Sequence, residues 1–155
     1  MNKQVWIEKA LGLGIQEFEI YQSTTVEKEM TWFQGQMDTL VSSKVTGTSI
    51  RGIVDGKMAN MALEEIDDSM CETVLKSLIE QAHIISNEET DSLRKPEPIE
   101  YAKKDVTWNM ASTEYVKDIL QSLEAKILAH DPRVIQVGYL GYSQGSGSRS
   151  IVNSL

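Results

Sequence analysis

The chain has few of the residues that bind metals or form disulfides. Among its 155 residues it contains one cysteine, Cys71, and two histidines, His83 and His130. A zinc site needs three or four converging ligands, usually Cys or His, and neither histidine begins a His-Glu-x-x-His pattern. We therefore expect no metal ligand in this chain. A lone cysteine also excludes an internal disulfide, which suits a cytoplasmic protein.

Basic residues are scarce as well. Fifteen Lys and Arg residues stand against 23 Asp and Glu residues, which gives a net charge of −8. Proteins that bind nucleic acid displace counterions from phosphates with Lys and Arg, and this chain has no basic run. We expect no direct binding to nucleic acid and no adhesion to a membrane. No segment has the apolar length of a membrane span, and the N-terminus does not read as a signal peptide.

The motifs of common catalytic sites are missing too. There is no Gly-x-Ser-x-Gly pattern, and Gly145 and Gly147 lack the Lys-Ser/Thr of a phosphate-binding loop. Cys71 lies near a predicted helix start, but His83 is about three turns away along that helix and too far to act as its base. We interpret Cys71 as a small buried apolar residue. We therefore predict no catalytic residue.

The first half of the chain predicts one helix and a run of strands. Apolar residues recur at helical spacing between residues 2 and 13, and Gly14 is placed to end that helix. From about residue 15 to residue 62, alternating apolar and polar residues predict an antiparallel meander of three or four strands. Gly35 and the pair Asp55-Gly56 stand where turns are needed, and Asp-Gly favours a two-residue hairpin.

Two further helices are predicted. The first carries an apolar stripe formed by Cys71, Val74, Leu75, Leu78, Ala82 and Ile85. We assign the acidic cluster before it to helix capping rather than to a calcium site; its members are Glu64, Glu65, Asp67 and Asp68. The second helix runs from about residue 113 to residue 130, with a stripe of Val116, Ile119, Leu120, Leu123 and Ile127. Asp131-Pro132 should end it.

The remaining segments complete the predicted architecture. Residues 88–104 are charged and contain two prolines, so we predict a surface loop there. The sequence after residue 132 predicts two strands around a Gly/Ser turn. The expected fold class is α+β: an antiparallel meander sheet with helices packed on one face, plus a C-terminal strand pair. We expect residues 1–155 to form a single domain.

Arg51 stands in the middle of a predicted strand. Alternation places it on one face with Ser49 and Ile53, whereas Ile50 and Gly52 face the other side. A mid-strand arginine is costly if it is buried without a partner. We favour a structural ion pair or a solvated face. A role as an anion clamp in a small-molecule enzyme stays open, although no nucleophile or base is predicted nearby.

The stretch GTSIRGIVDGKMANMA, residues 47–62, resembles the hairpin in the N-terminal domain of the TldD/PmbA family. The matching residues are Gly47, Ile50, Arg51, Val54, Asp55 and Gly56. Ser49 and Gly52 depart from the commoner glycine and apolar residue. The acidic cap and long helix that follow also resemble the family, as does the closing pair Asn153-Ser154. The resemblance covers essentially the whole chain and leans towards the PmbA branch.

The resemblance implies a function that composition and spacing do not. Family members are regarded as zinc-dependent peptidases and labelled modulators of DNA gyrase. The catalytic member binds zinc through His-Glu-x-x-x-His and a downstream Cys, which this chain lacks, so the chain would be an inactive N-terminal portion of a longer subunit. The family also implies a homodimer, or a heterodimer with a TldD/PmbA-type subunit, acting on unstructured peptides.

The same resemblance implies a set of residues for structural or interdomain contacts. They are Gly47, Arg51, Asp55, Gly56, Asn153 and Ser154, and none is expected to be catalytic. An alternative stays open, in which the chain is a non-catalytic protein-interaction or dimerisation module.

Overall fold

The computed structural model describes residues 1–86, 88–95, 97 and 109–155. Its elements are α1 (Lys3–Gly12), β1 (Glu17–Phe33), β2 (Gln36–Val54), β3 (Lys57–Leu63), a single 3-10 turn (Asp68–Met70), α2 (Cys71–Ile84), α3 (Thr113–His130) and β4 (Leu140–Asn153). The described strands form one sheet in the order β3-β2-β1-β4. The predicted α+β class is therefore confirmed, and the meander consists of β1, β2 and β3.

Tight turns join the strands of the meander, and both use left-handed backbone conformations. Gln34 (φ 47°) and Gly35 (φ 78°) link β1 to β2, and Asp55 (φ 49°) and Gly56 (φ 74°) link β2 to β3. Positive φ at both central residues defines a type I′ hairpin turn, whose twist matches that of the strands it joins. The turns predicted at Gly35 and at Asp55-Gly56 are confirmed.

The C-terminal segment differs from its prediction. One continuous strand, β4 (Leu140–Asn153), stands where two strands around a Gly/Ser turn were expected. Gly145 does not turn the chain: a Cβ atom added there would lie 3.1 Å from the Val26 carbonyl oxygen on β1. Glycine thus allows the close approach of two backbones, a use that composition alone does not distinguish from a turn.

The chain divides into two compact units. The first takes its residues from 1–24, 46–101 and 148–155, and the second from 25–45 and 102–147. β1, β2 and β4 contribute residues to both. Each unit has its own cluster of buried apolar side chains.

Side chains from α1, the strands and α2 form the core of the first unit. Those with no exposed surface include Trp6, Phe18, Ile20, Ile50, Leu75 and Leu78. Burying one side chain of this kind contributes about 1.5–3 kcal/mol, so this core holds both helices to the sheet. The predicted stripe of α2 is confirmed at Cys71, Val74, Leu75, Leu78 and Ala82. Ile85 follows the end of α2 and is only partly buried.

The core of the second unit joins α3 to β1. Met30 and Trp32 pack with Val116 and Leu120. The bounds predicted for α3 are confirmed, and Ser112 caps its start by accepting a hydrogen bond from the backbone N–H of Tyr115.

The predicted apolar stripe of α3 is partly wrong. Ile119 and Leu123 are exposed, whereas Glu124 takes the third buried position after Val116 and Leu120. α3 carries apolar residues on two adjacent faces, so its sequence does not show which face meets the sheet. On the buried face, Glu124 accepts a hydrogen bond from Trp32 Nε1.

Part of the predicted surface loop contacts the sheet of the first unit. Leu93 is buried, and its backbone N–H donates to the carboxylate of Glu17. The Met58 backbone N–H on β3 donates to Asp91 Oδ2 at 3.0 Å. Residues 96 and 98–104 of that loop lie outside the described residues. Within the described part of the chain, no helix is long and apolar enough to cross a membrane.

Candidate functional site

Arg51 forms an ion pair within the sheet of the first unit. Its Nε donates a 2.7 Å hydrogen bond to Oε1 of Glu19 on β1. Glu19 is only 7% exposed, whereas the Arg51 side chain is 43% exposed. The carboxylate is therefore shielded and the guanidinium reaches the surface. This is the structural pair that the strand pattern favoured, but its partner was not predicted.

The Arg51–Glu19 pair lies in an open cavity of about 290 Å³. The described residues that line it are Glu19, Tyr21, Ser49, Arg51 and Ile151. Because Glu19 neutralises Arg51, the cavity attracts an anion only weakly. Tyr21 and Ser49 offer hydroxyl groups, but this lining holds no histidine or cysteine to activate them. The arrangement suits a polar docking contact better than a covalent reaction.

The predicted hairpin turn is fixed from two sides. The Gly56 backbone N–H donates to Gln16 Oε1 at 3.1 Å, and the Gly56 carbonyl oxygen accepts from the Asp91 N–H at 2.9 Å. Asp55 lies 3.7 Å from Nε2 of His83, and both side chains are largely exposed. The contacts of this turn are thus local and structural.

Asn153 and Ser154 hold the end of β4 to its surroundings. Ser154 exchanges two hydrogen bonds with Phe18: its N–H donates to the Phe18 carbonyl, and its Oγ accepts from the Phe18 N–H, both at 2.9 Å. Asn153 Nδ2 donates to the Arg94 carbonyl at 3.2 Å. Gly47 faces Ser23, whose Oγ would lie 3.9 Å from an added Cβ. Of the six residues expected to make structural or interdomain contacts, only Arg51 lines the cavity.

Two members of the acidic cluster, Asp67 and Asp68, accept hydrogen bonds at the starts of helices. Asp67 accepts a hydrogen bond from the Ser69 N–H at 2.7 Å, as predicted for a cap. Asp68 Oδ1 accepts from the Asn2 N–H at 2.8 Å and from Trp6 Nε1 at 2.9 Å, which ties the start of α1 to the turn before α2. These donors lower the pKa of Asp68, the Asn2 N–H most and the Trp6 indole next.

The described residues contain neither an exposed, reactive thiol nor a group of side chains that could hold a metal ion. Cys71 is buried in the first core, and burial raises the pKa of its thiol, so the nucleophilic thiolate is disfavoured. Among the described residues, no three His, Cys, Asp or Glu side chains lie close enough to hold a metal ion. These residues therefore do not fit a zinc site.

Glu124 is a further buried polar residue that sequence reasoning missed. It is 7% exposed, and Trp32 Nε1 donates to its Oε2 at 2.6 Å. The only available signal was its spacing of four and eight residues from Leu120 and Val116. A glutamate at such a position is ordinarily read as the polar edge of a helix.

The first unit is therefore an α+β fold, and the surface of its sheet carries an ion pair with no net charge. Comparison with known proteins adds a likeness to one family over part of the chain. Residues 18–86 match the family model described as PmbA/TldA metallopeptidase domain 1. The matched range contains the Arg51–Glu19 pair, both strands of its hairpin and α2. This finding supports the resemblance to the TldD/PmbA family. A search of curated proteins gave no match.

Solved structures share the fold. A proposed modulator of a DNA gyrase from Thermotoga maritima has 17% identity and a TM-score of 0.79, and covers 99% of the chain. TldE from Thermococcus kodakarensis has 18% identity and a TM-score of 0.80, and covers 98% of the chain. A proposed modulator of DNA gyrase from Bacteroides thetaiotaomicron has 18% identity and a TM-score of 0.66, and covers 97% of the chain.

The chain is much shorter than these proteins. It spans 34% of the first two structures and 35% of the third. At this level of identity the likeness establishes the fold of the chain.

Proposed function

We propose that the chain is the first domain of a subunit in a TldD/PmbA-type metallopeptidase complex that processes unstructured peptides. One observation carries the proposal: residues 18–86 match domain 1 of that family, on a fold that extends over nearly the whole chain. The domain supports assembly and the peptide path. The zinc and its ligands are supplied by the catalytic member, outside this chain.

The cavity around Arg51 supports a role in assembly. A paired, half-exposed guanidinium can accept contact with a polar group from another domain without leaving an unpaired charge buried on either side. Tyr21 and Ser49 add hydroxyl groups, and Ile151, which is 63% exposed, adds apolar area. This mixture is typical of contacts between domains of one chain.

The outer edge of β3 supports a role in the peptide path. β3 is an end strand among the described strands, and beyond Met58, whose N–H already donates to Asp91, it can accept an extended peptide as an added strand. A cavity of about 290 Å³ lies beside it, lined by Met58, Ala59, Asn60, Gln81, Ile84 and Ile85. Ile84 is 80% exposed and could contact an apolar side chain of that peptide.

Finer assignments belong to the same proposal. The subunit belongs to the PmbA branch, because the sequences of its proline-containing loop (residues 88–104) and of α3 resemble that branch. It works in the cytoplasm as a homodimer or as a heterodimer with a TldD/PmbA-type subunit. Its net charge of −8 argues against direct binding to DNA, so any effect on gyrase is indirect.

The proposal is tested on the natural gene product that carries this chain, tagged and isolated from its own cells. The isolated complex should cleave a labelled unstructured peptide, lose that activity to a zinc chelator and regain it with zinc. The 155-residue chain alone should not cleave it. A complex with neither peptidase activity nor a TldD/PmbA-type subunit would overturn the proposal.

A second candidate function is a non-catalytic interaction or dimerisation module. The exposed apolar side chains of α3 favour it: Tyr115 is 59%, Ile119 37% and Leu123 42% exposed. These residues border a cavity of about 500 Å³ along the helix. A stable complex without peptidase activity, weakened by Ile119→Ser, would support this function instead.

A further inference from the structure

Glu124 is a buried carboxylate in the second unit whose bonded partners are neutral. Trp32 Nε1 lies 2.6 Å from Oε2, and the Gly35 backbone N–H lies 3.0 Å from Oε2 and 3.2 Å from Oε1. An indole and a peptide N–H satisfy hydrogen bonds but bring no positive charge. Burying a charge without a counter-charge costs free energy.

No cation balances this carboxylate within the described part of the chain. None of the ion pairs formed there includes Glu124. Oε1 accepts only the longer bond from Gly35, so it can accept a further donor. A glutamine could accept the same two hydrogen bonds without the cost of burying a charge. The hydrogen bonds alone therefore do not explain why the residue is an acid.

A cavity of about 290 Å³ opens beside Glu124. Its lining includes the apolar residues Leu128 and Val137, the polar residues Gln34 and Gln136, and Ile135, which is 91% exposed. Pockets for drug-sized ligands begin at about 300 Å³, so this cavity has room for a single long side chain. Apolar walls around a carboxylate suit a side chain with an aliphatic stem and a cationic head.

We propose that this cavity binds the arginine side chain of an extended peptide, with Glu124 as the counter-charge. The apolar walls pack against the methylene groups, and the guanidinium donates to Oε1. Arginine is favoured over lysine because a guanidinium is more weakly hydrated and loses less on leaving water. The choice of a peptide rests on the proposed function, whereas the preference for a cationic head on an aliphatic stem rests on the carboxylate and lining of the cavity alone.

The test uses the 155-residue chain labelled with ¹⁵N. The Trp32 indole N–H signal, assigned by its loss in Trp32→Phe, reports on Glu124 directly. The labelled chain is titrated with acetyl-Gly-Arg-Gly-amide and, separately, with the same peptide carrying citrulline in place of arginine. Citrulline is nearly isosteric with arginine and uncharged. We expect a saturable shift with arginine and binding weaker by at least about tenfold with citrulline. Equal shifts with both peptides, or no saturable shift, would overturn the proposal.

Variants separate this site from general attraction to an acidic protein. Glu124→Gln keeps an acceptor for Trp32 and should weaken arginine binding by at least about tenfold. Glu114→Gln removes the same charge from an exposed position of α3 and should leave binding unchanged. Val137→Phe fills the cavity without touching the carboxylate and should also abolish binding. Undiminished binding in folded Glu124→Gln or Val137→Phe would refute the site.

Discussion

Arg51 Nε lies 2.7 Å from Glu19 Oε1, and the two residues are 32 positions apart in sequence. The pair joins neighbouring strands, with the carboxylate shielded and the guanidinium half-exposed. Removing the arginine leaves a buried carboxylate without its donor, whereas removing both groups leaves no such cost.

We therefore expect coupling between these residues. Arg51→Ala should lower the free energy of unfolding by about 1–2 kcal/mol, and the Arg51→Ala/Glu19→Ala double variant by less than the sum of the single effects. Urea unfolding of all four proteins measures this coupling. Arg149→Ala removes an exposed arginine from β4 and serves as the control. Strictly additive effects would mean that the pair contributes nothing to stability.

Gly52 should tolerate no side chain. A Cβ atom there would lie 2.9 Å from Ile15 Cγ2 and 3.0 Å from Leu78 Cδ2, both inside the first core. We expect Gly52→Ala to lower the free energy of unfolding by about 1–3 kcal/mol through overpacking. Gly12→Ala is the matched control, because nothing lies within 4 Å of its added Cβ. Gly12 is the last residue of α1, so that variant should be neutral or gain at most about 0.5–1 kcal/mol. Chemical denaturation that shows a neutral Gly52→Ala would contradict the packing.

Features set by short stretches of sequence were predictable. The chain turns at Asp55-Gly56 because both residues can adopt positive φ, which is a property of the dipeptide itself. The stripe of α2 was clear because apolar residues occupy one face of the helix and charged residues the other. The alternation of residues around Arg51 likewise predicted the face of the strand on which its side chain lies.

Features set by distant partners were not predictable. Glu124 is buried because Trp32, 92 residues away, offers its indole N–H. β4 is one strand rather than a hairpin because it pairs with β1, where the backbone of Val26 approaches Gly145. Glu19 could be assigned to Arg51 only once the register of β1 and β2 was known. Each of these outcomes depends on tertiary contacts that a periodic pattern does not contain.

Asp68 should make stability depend on pH in the acid range. Hydrogen bonds from Asn2 and Trp6 lower its pKa in the folded protein. The stabilisation is therefore present above its unfolded pKa of about 3.9 and is lost as the pH falls through the lower folded value. We expect the melting temperature of Asp68→Asn to fall less over this range than that of the original protein. Glu65→Gln, which alters an exposed acid in the same cluster, should keep the original slope. Parallel curves for Asp68→Asn and the original would refute this role.

Cys71 should react as a buried thiol. It is 1% exposed, and burial, aided by Asp68 and Glu72, raises the pKa of its thiol. A reagent can therefore reach the thiol only when the first core opens. An opening free energy of a few kcal/mol slows the rate of modification by roughly two orders of magnitude or more. We expect a disulfide reagent to label the folded chain far more slowly than the chain in urea. Val74→Ala, which loosens the same helix without touching the thiol, should speed the reaction of the folded chain. Rapid labelling of the folded original would instead mean that the start of α2 is open, and the thiol would then have to be reconsidered as a reactive group.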